Sequence, residues 1–251
     1  MDLLSSTLKI LWLSFWLGLA TLILAPLVTA SALLGSTGNF AFNLTRVWAW
    51  IILGVTGCRP GICGKEKIRK GQPYIIITNH QSHFDALALV TTLGIQFRWV
   101  AKRELLRIPL FGQALYAARN IFVDRSNTQK AIKSIEDGIK RLPPGASILF
   151  FAEGSRSADG KLQAFKKGGF VTAIGTGLPV LPVAVKGSRK VLPKGSLVFH
   201  PGLIKVVVGE PIHTVDYTGE KLGELMKRTS EVIASNLKTD HSGQWGDGEK
   251  C

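Results

Sequence analysis

The sequence predicts an α/β domain in which a mixed sheet is covered by helices, preceded by an apolar N-terminal helical segment. Short runs of β-branched and aromatic residues alternate with amphipathic stretches, as strands alternate with helices in this class. Gly, Pro or charged residues bound most of the runs. The predicted strands are Tyr74–Thr78, Phe97–Ala101, Asn120–Val123, Ser147–Ala152, Val180–Val185 and Ile204–Val208.

Two stretches carry the apolar spacing of helices. Asn127–Leu142 places its apolar side chains on one face, with Ser126 as the expected N-cap and Pro143 ending the helix. A second apolar stripe runs over Leu222–Leu237. The tail after Lys238 is polar, and we expect it to be loosely held.

The N-terminal region is apolar enough to enter a membrane. Ile10–Leu34 has no charged residue, and about 20 apolar residues suffice to cross a bilayer core. A second uncharged stretch, Val47–Cys58, is too short to cross, but its tryptophans suit an interfacial helix. Either the first segment spans the bilayer once, or Pro26 breaks it and the region forms a helical hairpin in one leaflet.

The charges that flank this region predict its orientation. Lys9 alone precedes the apolar stretch, whereas several basic residues follow it from Arg46 to Lys70. The positive-inside rule then places the body of the protein on the cytoplasmic side of the membrane. A cleaved secretory signal is the alternative, since Ala30–Ala32 resembles a cleavage site. We divide the chain into membrane-associating helices at 1–62, an α/β domain at 63–238 and a flexible tail at 239–251.

The net charge of +14 indicates an anionic partner. A phospholipid surface, a phosphorylated or CoA-like substrate and nucleic acid would all fit. Nucleic acid is disfavoured, because the N-terminal stretch is charge-free and the sequence has no basic recognition helix.

Three cysteines are a poor disulfide framework for a domain of this size, which favours a reducing compartment. Cys58, Cys63, His80 and His83 raise the alternative of a zinc site. It is disfavoured, because the predicted strand at Tyr74–Thr78 separates the two pairs and a small zinc module would not contain it. We therefore expect no metal.

A histidine and a carboxylate follow the first predicted strand, in the heptapeptide from Asn79 to Asp85. His80 and Asp85 meet if His80 lies in the loop and Asp85 in the first turn of the next helix, with Ser82 as the N-cap. The carboxylate would then hold one imidazole nitrogen and leave the other to accept a proton. The alternative is a helix-capping turn without catalysis.

Three further segments carry candidate chemistry. Glu153–Arg156 follows a predicted strand, and Arg156 offers a planar fork for an anionic oxygen pair. Asp124 and Arg125 end another strand, and a surface ion pair is the alternative there. Pro182 interrupts an apolar run, where a proline at a sheet edge or a bulge is the alternative.

In their order and spacing these four segments resemble the motif set of the glycerolipid acyltransferases, above all the 1-acylglycerol-3-phosphate acyltransferases. His80 and Asp85 match the family's His-x4-Asp motif, and Phe122–Arg125 matches its second block. Glu153–Arg156 matches its Glu-Gly-Thr-Arg, and the segment around Pro182 matches its fourth block. The resemblance covers roughly residues 74–185. Ala152 stands where the family usually has proline, Ser155 replaces threonine, and Arg119-Asn120 stands where glycine is common.

The resemblance implies transfer of an acyl group from a thioester, either acyl-CoA or acyl carrier protein, to a lysophospholipid at a membrane. His80 would be the general base and Asp85 its orienting partner, with no cofactor. Other lysolipids as acceptors, and a non-catalytic phospholipid-binding protein, remain alternatives. The implied substrate-binding residues are Arg125, Glu153, Gly154, Ser155 and Arg156, with Lys102 and Pro182 as weaker candidates.

Overall fold

A computed structural model describes residues 3–33, 38–124 and 128–239, and these form one mixed sheet covered by helices on both faces. The predicted fold class is confirmed. The strand order is β1-β7-β6-β2-β5-β3-β4. The strands are β1 Cys58–Cys63, β2 Ile75–Thr78, β3 Phe97–Lys102, β4 Ile121–Val123, β5 Ser147–Phe151, β6 Val180–Lys186 and β7 Gly202–Val208.

All neighbouring strands are parallel except β6 and β7. The six predicted strands are present, each within two residues of its predicted bounds. The sequence reasoning missed β1, because Cys58–Cys63 holds Pro60 and Gly61, which are depleted in strands. β1 pairs with β7 at the sheet edge, where a proline is tolerated. The expected boundary between residues 62 and 63 therefore falls inside a strand.

Helices divide between the two faces of the sheet. Their bounds in the described residues are α1 Leu3–Leu33, α2 Asn39–Val55, α3 Phe84–Thr92, α4 Phe111–Ala117, α5 Thr128–Ile139, α6 Gly168–Thr176, α7 Ser188–Val191 and α8 Leu222–Lys238. Helices α2 and α3 pack on one face through side chains such as Leu53 and Leu89. Helices α5, α6 and α8 cover the other face through Ile135, Phe170 and Ile233. Ser126, the expected cap of α5, lies outside the described residues.

The two N-terminal helices form an antiparallel hairpin. Trp12 Nε1 on α1 donates to the Val55 carbonyl at the end of α2 at 2.8 Å, and Trp48 Nε1 donates to Thr21 Oγ1 at 3.1 Å. Pro26 lies inside α1 and does not break it. The hairpin therefore forms from two continuous helices, and the alternative of a helix break at Pro26 is wrong. It packs on the domain, since α2 contacts α3 and α1 contacts α4.

Pro182 is buried inside β6, opposite Ile77 of β2. The strand is interior, so the alternative of a proline at a sheet edge is wrong. Its carbonyl accepts the N–H of Gly209 at 2.8 Å, one residue beyond the Val183–Val208 pair that ends the ladder with β7. The N–H that proline lacks would therefore lie at the end of a ladder, where its loss costs least.

Candidate active site

Two loops meet at the carboxyl edge of the central strands. β2 and β5 are parallel neighbours, so the loops that leave them lie side by side. His80 follows the end of β2 by two residues, and Glu153 follows the end of β5 by two residues. β2 lies between β6 and β5, and the chain adds strands on both sides of it. In open α/β sheets, ligands usually bind at the carboxyl edge of the strands at such a point.

The structure brings the predicted histidine and carboxylate together. His80 Nδ1 lies 2.8 Å from Asp85 Oδ2. The side chain of His80 is 17% exposed and that of Asp85 is fully buried. Because an ionised carboxylate only accepts hydrogen bonds, Nδ1 carries the proton in this pair and Nε2 is the basic nitrogen. Nε2 has no hydrogen-bond partner among the described residues, which leaves it for a substrate.

Asp85 also closes the turn that begins helix α3. Its Oδ2 accepts the backbone N–H groups of Gln81 at 2.6 Å and of Ser82 at 2.9 Å. One carboxylate oxygen thus caps the helix and orients the imidazole, so the two interpretations of this heptapeptide are compatible. The N-cap is His83 and not Ser82 as predicted, although Ser82 Oγ still accepts the N–H of Phe84 at 3.2 Å.

Glu153 fixes the backbone of His80. Its Oε1 accepts the N–H of His80 at 2.7 Å, and its Oε2 accepts the N–H of Gln163 at 3.1 Å. The carbonyl of His80 accepts the N–H of Ser157 at 2.8 Å, so both peptide groups of His80 are bound by the loop after β5. Burial raises the pKa of Glu153, and the two N–H donors oppose that rise. These bonds make Glu153 a positioning residue for His80.

Two aromatic rings stack beneath one face of the His80 imidazole. The His80 ring lies on the ring of Phe151, with centroids 3.8 Å apart and planes 19° apart. Phe151 in turn stacks on Trp99 at 5.7 Å and 14°. Asp85 and Phe151 therefore constrain different motions of the ring: the carboxylate holds Nδ1, and the phenyl ring fixes the plane. The sequence showed both aromatics only as strand residues.

Asn79 is a second residue that sequence reasoning missed. Its amide donates to the Val185 carbonyl at 3.0 Å and accepts the Val185 N–H at 2.7 Å. A side-chain amide thus continues the ladder between β2 and β6 past the end of β2. An asparagine directly after a buried apolar run was the only signal, and its partner lies 106 residues away.

Arg156 and His83 lie near the dyad. Arg156 is half-buried, Ser155 is exposed, and Gly154 adopts a left-handed φ of 75° that opens the turn. His83 is exposed at the start of α3, and its pKa is lowered first by partial desolvation and then by the positive charge of Arg156 and by His80. The guanidinium of Arg156 is therefore close enough to this region to act on the neighbouring His83.

Within the described residues, no hydrogen bond or ion pair joins Lys102 or Pro182 to the dyad. Lys102 ends β3 at the same edge of the sheet, but its side chain pairs with Glu104 at 3.0 Å. Pro182 is enclosed in β6, away from the exposed loops. Arg125 lies outside the described residues, although Asp124 before it follows β4 at the carboxyl edge.

The zinc alternative finds no support in the described ranges, where no group of three or more His, Cys, Asp or Glu residues is placed to hold a metal ion. Cys58 and Cys63 lie on edge strand β1, and two strands separate β1 from β2.

An imidazole held by a buried carboxylate, at the carboxyl edge of an α/β sheet, is an arrangement typical of enzymes that use general acid–base catalysis. The chain belongs to the acyltransferase family, whose model matches residues 59–186. This finding confirms the resemblance drawn from the four motifs.

Within this family, the chain is similar to proteins named as 1-acyl-sn-glycerol-3-phosphate acyltransferases. The chain is 33% identical over 196 residues to 1-acyl-sn-glycerol-3-phosphate acyltransferase of Pseudomonas aeruginosa, covering 78% of this chain and 75% of that protein. It is 32% identical over 201 residues to the chloroplast enzyme of that name from Arabidopsis thaliana, covering 79% of this chain but only 54% of the relative. The crystal structure of the 1-acyl-sn-glycerophosphate acyltransferase of Thermotoga maritima superposes with a TM-score of 0.83 at 25% identity, over 98% of this chain and 100% of that one.

Proposed function

We propose that this protein transfers a fatty acyl group from an acyl thioester, acyl-CoA or acyl carrier protein, to the sn-2 hydroxyl of lysophosphatidic acid, giving phosphatidic acid. The 2.8 Å contact between His80 Nδ1 and Asp85 Oδ2, with Nε2 directed to no protein group among the described residues, carries the proposal. The names of the relatives from Pseudomonas and Arabidopsis support the choice of acceptor.

In the proposed reaction, Nε2 of His80 removes the proton of the acceptor hydroxyl as its oxygen attacks the thioester carbonyl. Asp85 stabilises the imidazolium that forms. The tetrahedral intermediate then collapses, the C–S bond breaks, and the thiolate leaves with the proton from Nε2. Because the thioester is already activated, neither a covalent acyl-enzyme nor a cofactor is required. General base catalysis of this kind contributes about 10²- to 10⁴-fold, and alignment of the two substrates supplies much of the rest.

Arg156 is the proposed ligand of the acceptor phosphate. It is half-buried beside the dyad, and a guanidinium binds phosphate through charge-assisted hydrogen bonds. Gly154 would shape the same turn, where its N–H donates to the Phe151 carbonyl at 3.0 Å, and Ser155 would present its hydroxyl. Arg125 and Lys102 remain candidates for the same role.

The hairpin supports membrane association. Helix α1 is long and apolar enough to cross a bilayer, and only 17% of its most apolar window is buried. It lies along α2, which packs on the domain, so its exposed apolar side can enter one leaflet while the domain stays at the surface. The basic residues that follow favour the cytoplasmic side. The acceptor would then reach His80 by lateral movement.

The test compares His80→Ala with His213→Ala, an exposed histidine on the loop after β7, at the opposite end of the sheet from the dyad. Thiol release is measured with acyl-CoA and acyl carrier protein in parallel, against lysophosphatidic acid and other lysolipids. We expect His80→Ala to lose about 10³-fold in turnover while it still binds vesicles, and His213→Ala to be unchanged. Near wild-type turnover of His80→Ala would show that the mechanism is wrong.

A further inference from the structure

An apolar cleft lies between the N-terminal hairpin and the segment that leads into α4. Its volume is about 640 Å³. The mechanism above does not use it. One wall comes from the hairpin, with Leu17, Gly18, Thr21 and Leu22 on α1 and Trp48 on α2. The second wall is Ile108–Phe111, the segment that ends at the first residue of α4.

The backbone of this second wall is strained. Leu110 has φ 61° and ψ −51°, and the N–H of Phe111 donates to the Pro109 carbonyl at 2.7 Å, which closes a tight γ-turn. A non-glycine residue in this conformation costs free energy, and such strain is retained where the surrounding structure requires it, often at ligand sites. The ring of Phe111 lies 5.9 Å from that of Trp48, so the turn brings this wall onto the hairpin.

The cleft is continuous with the surface proposed to enter the bilayer. Leu22 on α1 is 61% exposed, and Ile108 and Leu110 on the opposite wall are 45% and 39% exposed. A lipid chain can therefore pass from the bilayer into the cleft without crossing water.

The other end of this segment leads to the active site. The residues from Arg103 to Arg107 form a short helical turn directly after Lys102, the last residue of β3 at the carboxyl edge of the sheet. His80 follows β2 at the same edge. A lipid whose chain lies in the cleft would thus have basic residues beside its head group, on the side where the dyad lies.

We propose that this cleft binds the single acyl chain of the lysolipid acceptor. The proposal rests on the proposed function, because it assumes an acceptor drawn from the bilayer. The acceptor fits better than the donor for a physical reason: the acceptor already resides in the membrane, whereas a thioester donor arrives from water on a soluble carrier.

Gly18 provides the test. An added Cβ at Gly18 meets no atom within 4 Å, so Gly18→Leu would place its side chain in open space at the cleft without displacing its neighbours. Leucine also favours a helix over glycine, so folding should not suffer. The matched control is Gly54→Leu on α2, where an added Cβ likewise meets nothing, but the residue does not line the cleft.

We expect Gly18→Leu to raise the KM for a long-chain lysophosphatidic acid about tenfold and that for a short-chain one much less, as overpacking of a filled site does. The donor KM and vesicle binding should be those of the wild type. Gly54→Leu should leave every value unchanged. Equal acceptor kinetics in the two variants would overturn the proposal. A change confined to donor chain length would assign the cleft to the donor and also overturn it.

A binding measurement tests the cleft independently of the proposed acyl transfer. Lysophosphatidic acid with a photoreactive group at the end of its chain is mixed with the wild-type protein in vesicles and irradiated without donor. We expect the label on peptides that contain 17–22 or 108–111, and we expect it to be lost in Gly18→Leu but kept in Gly54→Leu. Labelling elsewhere would refute the cleft as the site, whether or not turnover is found. Correct labelling without turnover would instead count against the proposed reaction.

Discussion

The loops that hold His80 and Asp85 and the N-terminal hairpin are stabilised by different kinds of contact. Around His80 and Asp85, buried polar atoms meet at short, directed distances, and one carboxylate oxygen serves three donors. On the hairpin, large apolar side chains of α1 are exposed. Two tryptophan hydrogen bonds join α1 to α2 in the described residues. The structure of the first region depends on individual hydrogen bonds, whereas that of the second depends on the total apolar surface that its side chains present. A single substitution should therefore cost much at the loops and little on the hairpin.

Asp85→Asn should show the largest effect. Asparagine keeps the shape, and its one acceptor oxygen can stand where Oδ2 receives all three donors, but the negative charge is lost. We expect turnover to fall on the order of 10³-fold, because the imidazolium that forms during the reaction loses its counter-charge. The control is Asp137→Asn, at an exposed carboxylate on α5, which should leave turnover unchanged. Turnover within about threefold of the wild type would remove Asp85 from the proposed mechanism.

Arg156→Gln should raise the acceptor KM about tenfold, as loss of a charged hydrogen bond does, with a smaller change in turnover. It should also raise the pKa of His83, because a positive charge that lowers it is removed. Since the folded protein disfavours protonation of His83, stability falls as the pH drops from the ordinary value of 6.5 to the lowered one. The variant should lose less stability over that interval.

Steady-state kinetics measure the acceptor KM of the Arg156 variant, and an NMR titration measures its His83 pKa. Lys161→Gln, an exposed cation on the same loop, is the control. Unchanged acceptor kinetics would exclude Arg156 from the phosphate site, and an unchanged His83 pKa would show that the two side chains do not interact.

Phe151→Leu removes a ring that stacks on His80 and breaks no hydrogen bond. An aromatic pair is worth about 0.5–1.5 kcal/mol, so we expect turnover to fall about three- to tenfold with the acceptor KM unchanged. The NMR signals of the His80 ring should shift as they leave the face of a neighbouring ring. Phe165→Leu removes a similar stack with Phe170 on the other face of the sheet and should leave both readings unaltered.

The smallest effect is expected from Trp12→Phe on the hairpin. It removes the 2.8 Å bond to Val55 but keeps an aromatic ring, so stability should fall by about 1 kcal/mol and turnover should not change. Thermal unfolding and vesicle flotation measure this. A large loss of turnover would show that the hairpin positions the active site through specific bonds and would break the contrast with the loops.

Local pattern predicted much of this molecule. Six strands, the α5 and α8 helices and the His80–Asp85 pair follow from apolar spacing, turn residues and loop lengths, all of which act over short distances along the chain. β1 was missed because an edge strand accepts Pro60 and Gly61, and residue preferences describe interior strands better than edges.

The residues around the dyad were harder to find, since they depend on contacts between distant segments. Nothing near Phe151 in the sequence shows that its ring lies on His80, and only the neighbouring register of β2 and β5 brings the two together. Pro182 is a contrasting case: its place in a matching motif predicted substrate binding, and the structure places it inside β6, opposite Ile77.

The two bonds between Asn79 and Val185 bear on the order in which the protein is assembled. They tie the loop that holds His80 to a strand made 106 residues later. Contacts this far apart along the chain form late, because a long loop must close first. During synthesis, the nascent chain therefore carries both His80 and Asp85 long before the loop is locked. We expect acyl transfer to begin only after β6 has docked beside β2, which delays catalysis until nearly the whole domain is complete.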